Sequence, residues 1–176
     1  MSFHNIKIGK DCPKTINVVV EIPKGSHHKY EYDEEIDEIR LDRVLHSPVF
    51  YPTDYGFIPE TRSEDGDHLD VLIIITQPLF PGCVVQVRPI GGLDMDDEAG
   101  KDWKIIAVAE KDPRLSTIND ISDLDEHYKK EIEQFFNVYK DLENKWVKIK
   151  DYISKDKAFE IIKKSMEKFA QENKSL

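Results

Sequence analysis

Leu69-Asp70-Val71-Leu72-Ile73-Ile74-Ile75-Thr76 is a short run, rich in β-branched residues and apolar on both faces. That pattern belongs to a central strand, covered on both sides, and the run is far too short to span a membrane. Working outward, other short β-branched or alternating runs are bounded by Pro, Gly and Asp, as strands of a sheet or small barrel are. Asn17 to Ile22 is one, closed by Pro23. His28 to Tyr32 and Ile36 to Val44 form an expected hairpin whose second arm turns Ile39, Leu41 and Arg43 inward. Val84 to Ile90, Trp103 to Ala109 and Trp146 to Ile149 complete the expected strands.

Towards the C-terminus the period changes. Ile132, Phe135, Phe136, Tyr139 and Leu142 recur at helical spacing, as do Ala158, Ile161, Ile162, Met166, Phe169 and Ala170, which predicts two amphipathic helices. No Ser/Gly-rich linker or internal repeat divides the chain. The expectation is one α+β domain over residues 1–176, a closed or strongly curved sheet with helices packed on it.

With 176 residues, 39% hydrophobic and 34% charged, the chain carries enough core-forming material to fold. Its net charge of −10 has the wrong sign for non-specific attraction to nucleic acid or to an anionic membrane. Any anionic partner therefore needs help from cations. Cys12 and Cys83 stand far apart without metal-finger spacing, so a disulfide framework is excluded and a zinc site is not expected. There is no signal-peptide pattern at the N-terminus, and the expected location is cytoplasmic.

The chemistry concentrates around Asp65-Gly66-Asp67-His68-Leu69-Asp70, three carboxylates in a turn that runs straight into the most apolar strand. Crowded carboxylates resist ionising together, so a rigid cluster recruits a hard divalent cation or shares a proton. The ordinary alternative is a solvated acidic turn. An EF-hand is excluded by count: twelve residues on from Asp65 inclusive stands Thr76, not Glu. A second acidic cluster, Asp94 to Asp102, is expected in a loop between two strands, where a charge run ordinarily faces water. A small barrel can bring two such segments to one mouth, where together they would hold several metal ions.

Cations lie nearby. Lys29 and Glu31 share one face of a strand, where the ordinary reading is a surface pair. Arg43 points with Ile39 and Leu41 to the expected interior, where an unpaired guanidinium is costly, so it requires an anion. In Phe50-Tyr51-Pro52-Thr53-Asp54-Tyr55-Gly56-Phe57-Ile58-Pro59, two prolines and a glycine argue against a helix or a regular central strand. A packed aromatic loop is expected, with the Tyr51 and Tyr55 hydroxyls seeking carboxylate or phosphate oxygens.

These segments, taken with Val20-Glu21-Ile22-Pro23, Leu41-Asp42-Arg43, Met95-Asp96-Asp97-Glu98 and Phe135-Phe136 followed by Tyr139-Lys140-Asp141-Leu142-Glu143, resemble the soluble family I inorganic pyrophosphatases of the short, bacterial type. The resemblance covers nearly the whole chain. It implies a small five-stranded OB-like β-barrel with additional strands and two main flanking α-helices, assembled as a homohexamer. It also implies magnesium-dependent hydrolysis of inorganic pyrophosphate to two orthophosphates by in-line attack of a metal-activated water, with Mn2+ as a substitute ion. Carried over residue by residue, Asp65, Asp70, Asp97, Asp102, Glu21 and Glu31 would hold several Mg2+ ions. Asp67 would be the general base. Lys29, Arg43, Tyr55, Lys104, Tyr139 and Lys140 would hold phosphate oxygens, with Tyr51 and Glu98 supporting them.

Two positions depart from the family pattern. His68 stands where Pro or Glu is usual, and the Asp33–Glu38 turn lacks its usual glycine. Three rival readings remain open from residues alone. A non-enzymatic cation-binding module leaves Lys29, Arg43, Lys104 and Lys140 unexplained. An oligonucleotide-binding barrel conflicts with the acidic balance. A phosphatase acting on organic phosphates differs only in substrate.

Overall fold

The computed structural model describes residues 2–172. Five strands close into a ring. Strand β1 (Ile16–Ile22) pairs with β4 (Asp54–Ile58), β4 with β5 (Leu69–Ile74), β5 with β7 (Gly100–Ala109), β7 with β6 (Val84–Asp97), and β6 returns to β1. Closure leaves no open edge within the ring. The remaining edge of β6 is taken by β8 (Val147–Ser154), and β2 (His28–Asp33) with β3 (Glu38–Val44) forms a separate hairpin. The α-helices are α1 (Glu126–Val138) and α2 (Lys155–Glu172). This is the small barrel with extra strands and two flanking helices that the sequence led us to expect.

Alternation along β5 divides the core. Leu69, Val71 and Ile73 join one apolar cluster with Ala158, Ile161 and Ile162 of α2, while Leu72 and Ile74 join the other with Ile132, Phe135 and Phe136 of α1. Asp70 shares the face of Leu72 and Ile74. On β7, Ile105 and Ala107 belong to the α2 cluster and Ile106 and Val108 to the α1 cluster, so Asp102 and Lys104 lie on the same face as Asp70. The pleat thus puts three charged side chains at the end of one apolar layer.

Three local expectations need correction. The Phe50–Pro59 segment contains a regular central strand: every residue of β4 is buried, and it pairs with β1 and β5. The prolines flank the strand, and Gly56 permits a close crossing, because a Cβ there would stand 2.1 Å from the Val19 carbonyl oxygen. The Asp94–Asp102 cluster is not a loop. β6 runs to Asp97 and β7 resumes at Gly100, because Met95 is fully buried and Lys101 and Lys150 neutralise Asp94 and Asp96 from neighbouring strands. Leu41 does not face an interior: it is 51% exposed, since the β2–β3 hairpin is a two-stranded sheet of its own.

Smaller shifts have local causes. β3 begins at Glu38 because Asp37 takes the left-handed backbone region (φ 55°) that the missing glycine would have taken, with its carboxylate accepting from the Phe3 N–H and the Tyr32 hydroxyl. α1 stops at Val138, and Leu142 stands 62% exposed in a following 3-10 turn. β8 is longer than its Trp146–Ile149 forecast and leaves Trp146 outside.

Candidate active site

A cavity of about 610 Å³ opens between the barrel, the β2–β3 hairpin and the end of α1. It gathers Glu21, Lys29, Glu31, Arg43, Tyr51, Tyr55, Asp65, Asp67, Asp70, Asp102, Lys104, Tyr139 and Lys140 from segments remote in sequence. Asp97 and Glu98 do not line it. They join it through Lys140, whose ammonium lies 2.8 Å from Asp97 and 3.5 Å from Glu98.

The centre is organised by the parallel register of β5 and β7, which sets Asp70 opposite Lys104. Lys104 is 5% exposed, and its Nζ lies 2.5 Å from Asp70 Oδ2 and 2.6 Å from Asp102 Oδ1. Burial opposes its charge, yet Asp70, Tyr55 and Asp102 hold its pKa well above the ordinary lysine value. Asp102 is pushed upward by burial and by Asp70, against the pull of Lys104. Behind them, burial raises the Tyr51 and Tyr55 phenols far above their usual range, so both remain neutral hydrogen-bond donors.

Around the rim, cations and anions are interleaved. Lys29 Nζ lies 2.8 Å from Glu31 and 3.2 Å from Asp42. Arg43 finds its anion within the protein: Nε donates to Glu143 Oε1 at 3.0 Å and Nη1 to Asp42 Oδ2 at 2.5 Å. Asp42 and Glu143 stand in the quoted segments without an assigned role: the 100-residue spacing hides the Arg43–Glu143 pair, whereas Asp42 is the neighbour of Arg43 in sequence.

The acidic turn is tightly built. Ser63 N–H donates to the Asp67 carbonyl at 2.7 Å, Asp67 N–H to Asp65 Oδ1 at 3.1 Å, and Gly66 takes φ +101° at its tip. Burial raises the Asp67 pKa, helped by Asp65, Glu31 and Asp70. His68 turns away from this carboxylate face. Its ring stacks on Phe57 at 4.9 Å and 15°, with Nδ1 2.9 Å from the Thr61 carbonyl oxygen and Nε2 2.7 Å from Glu34.

The donor chemistry fits a hard divalent cation. All the candidate ligands are carboxylate oxygens, and Glu21, 6% exposed, has its pKa pushed up to about 8 by burial and by Asp70. Added positive charge nearby would favour the ionised form of Glu21. Among the described residues, no three Asp, Glu, His or Cys side chains already stand at ligand spacing, and Lys104 takes the position between Asp70 and Asp102.

Comparison with known proteins agrees with the fold. A family model described as inorganic pyrophosphatase matches residues 18–170. An inorganic pyrophosphatase of Saccharolobus solfataricus is 53% identical over 166 residues, covering 93% of this chain and 96% of its own. One from Thermus thermophilus is 47% identical over 165 residues, covering 92% and 94%. The crystal structure of inorganic pyrophosphatase from Thermus thermophilus superimposes with a TM-score of 0.93 at 44% identity, covering 97% of this chain and 99% of that one. With a family match that runs from the first barrel strand into the last helix, the chain belongs to the inorganic pyrophosphatase family.

Proposed function

We propose that this enzyme hydrolyses inorganic pyrophosphate to two orthophosphates by direct in-line attack of water, in a reaction that requires Mg2+. The observation that carries the reading is the cavity itself, where Asp65, Asp67, Asp70 and Asp102 face Lys29, Arg43, Lys104 and Lys140. A cavity charged with both signs suits a polyanion that arrives with cations. Asp65, Asp70, Asp97 and Asp102, with Glu21 and Glu31, would hold the magnesium ions. When bound, these ions supply charge neutralisation of the diphosphate and lower the pKa of the attacking water.

The chain's own groups do the rest. Asp67, whose pKa is raised by burial and by Asp65, accepts the proton of the attacking water. Lys29, Arg43 and Lys140 bind the phosphate oxygens, and Lys104 with the neutral Tyr55 and Tyr139 phenols orients them. As the P–O bond breaks, the bridging oxygen leaves with the second phosphate, and the ammonium and guanidinium groups offset its growing charge. No protein nucleophile is needed. Tyr51 packs against Tyr55 at 5.7 Å between ring centroids and supports the site, as Glu98 supports Lys140.

We also read residues 1–176 as one domain, located in the cytoplasm and assembled as a homohexamer. Among the described residues no helix is long and apolar enough to cross a membrane, and Phe50, Phe80 and Trp146 are more than half exposed, apolar surface that assembly would cover. The deciding experiment measures phosphate release from pyrophosphate, ATP and a phosphomonoester, with and without Mg2+. Release from pyrophosphate alone, and only with metal, is expected. Equal release from the phosphomonoester, or full activity after chelation, would overturn the reading.

A further inference from the structure

The Asp65–Asp67 turn is held from the cavity wall beside it by Arg62, which no motif singled out. The Arg62 side chain is 13% exposed. Its Nη1 donates to the Gly66 carbonyl at 2.8 Å and to Glu34 Oε1 at 2.9 Å, while Nε donates to Glu172 Oε2 at 2.9 Å. The guanidinium also lies 5.5 Å from the Phe169 ring centroid, and the Arg62 N–H donates to the Ser165 carbonyl at 2.9 Å. One planar fork therefore ties together the β2–β3 connection, the tip of the acidic turn and the last turns of α2.

Gly66 sits between the two aspartates, and its carbonyl belongs to the rigid peptide unit that leads into Asp67. Rotating that peptide would swing the Asp67 carboxylate and disturb the Asp67 N–H to Asp65 Oδ1 bond that orients Asp65. At a positive-φ glycine no side chain restrains such a rotation.

We propose that Arg62 is a positioning residue: through the Gly66 carbonyl it fixes the direction of the Asp65 and Asp67 carboxylates, and so sets the metal affinity and the base geometry of the turn. The outer ends of the clamp, Glu34 and Glu172, are roughly half exposed; Glu172 holds the guanidinium, and Glu34 holds it while also meeting His68 Nε2. This inference rests on the assignment of Asp65 as a metal ligand and Asp67 as the base. Groups that orient metal ligands typically change metal affinity about 10–100-fold when removed.

The test is Mn2+ binding to the whole protein, followed by paramagnetic resonance of the free ion, in wild type and Arg62→Gln. The expected result is a folded variant with Mn2+ affinity about tenfold weaker and a lowered kcat at saturating Mg2+. Arg62→Lys should recover little, because an ammonium cannot reproduce the fork. A purely structural role would instead lower the melting temperature with Mn2+ affinity unchanged, and that outcome overturns the proposal. Should Arg62→Gln not fold, Glu172→Gln decides the matter: weaker Mn2+ binding than wild type is expected, and wild-type affinity refutes the clamp. Absence of Mn2+ binding by wild type would instead refute the metal assignment of the turn, and this inference with it.

Discussion

Asp70 and Lys104 face each other on adjacent parallel strands, with the ammonium 2.5 Å from the carboxylate and a second carboxylate, Asp102, 2.6 Å from the same nitrogen. Lys104 thus provides, inside the protein, part of the positive charge that this acidic cavity needs. Replacing it by Met leaves Asp70 and Asp102 uncompensated. Both retain some solvent contact, so the metal-free protein should lose about 3 kcal/mol, the low end for a broken buried pair. Magnesium should then stabilise Lys104→Met more than wild type, because an ion takes over the vacated role. Thermal melts with and without Mg2+ check this. Equal magnesium-induced shifts in the two proteins would show that Lys104 is not standing in for metal charge.

In the proposed site Arg43 and Lys29 look alike as substrate-binding cations but differ in what they leave behind. The Glu143 side chain is 7% exposed and pairs with Arg43, whereas Glu31 and Asp42 beside Lys29 are 45% and 31% exposed. Arg43→Ala should therefore cost about 1–3 kcal/mol of stability as well as raising KM for pyrophosphate, because it strands a buried carboxylate. Lys29→Ala should raise KM at a stability cost below about 1 kcal/mol. Adding Glu143→Gln to Arg43→Ala should restore stability and leave KM high. Urea unfolding midpoints and steady-state kinetics separate the effects, and failure of the double variant to regain stability would refute the assignment.

What the sequence made legible follows physical lines. Strands with alternating or fully apolar patterns, and both helices, were readable because a periodicity records which face is buried. The site was readable where charge was locally improbable, as at Asp65–Asp70 against an apolar strand. β4 was not, because the crossing at Gly56 depends on the carbonyl of Val19, a residue from another strand. The acidic β6–β7 hairpin was not, because its charges are neutralised by Lys101 and Lys150, the latter from β8. Arg62 was not singled out and Glu143 was given no role because their ion pairs join residues about 30 to 110 apart, although the Gly66 contact of Arg62 is local.

The β1–β4 crossing makes its own forecast. A methyl group at position 56 would collide with the Val19 carbonyl and approach the Val20 Cα to 3.0 Å, and neither backbone atom can move without opening the ring. Gly56→Ala should therefore cost more than about 4 kcal/mol, beyond the usual range for a single substitution, or prevent folding outright. Gly66→Ala meets no such wall, only an unfavourable backbone angle, and should cost about 1 kcal/mol. Chemical denaturation of the pair tests the contrast. Similar midpoints for both variants would mean the crossing is looser than 2.1 Å implies.

Cys12 supplies a pH prediction away from the cavity. Its Sγ lies 3.4 Å from Met166 Sδ on α2, and burial raises its pKa to about 11, with Lys163 opposing. The fold favours the neutral thiol, so its contribution to stability is complete below the ordinary thiol value of 9.0 and is lost as pH climbs towards about 11. Alkylation by iodoacetamide, which needs the thiolate, should be about 50-fold slower at pH 9 than for an unburied thiol. It should rise about tenfold from pH 9 to pH 10 and begin to level only near pH 11. Peptide mapping distinguishes Cys12 from Cys83, whose thiol is also raised by burial. In parallel, Cys12→Ala should flatten the fall in melting temperature between about pH 9 and pH 11. A Cys12 alkylation rate that levels off near pH 9 in the folded protein would show that α2 does not seal this thiol.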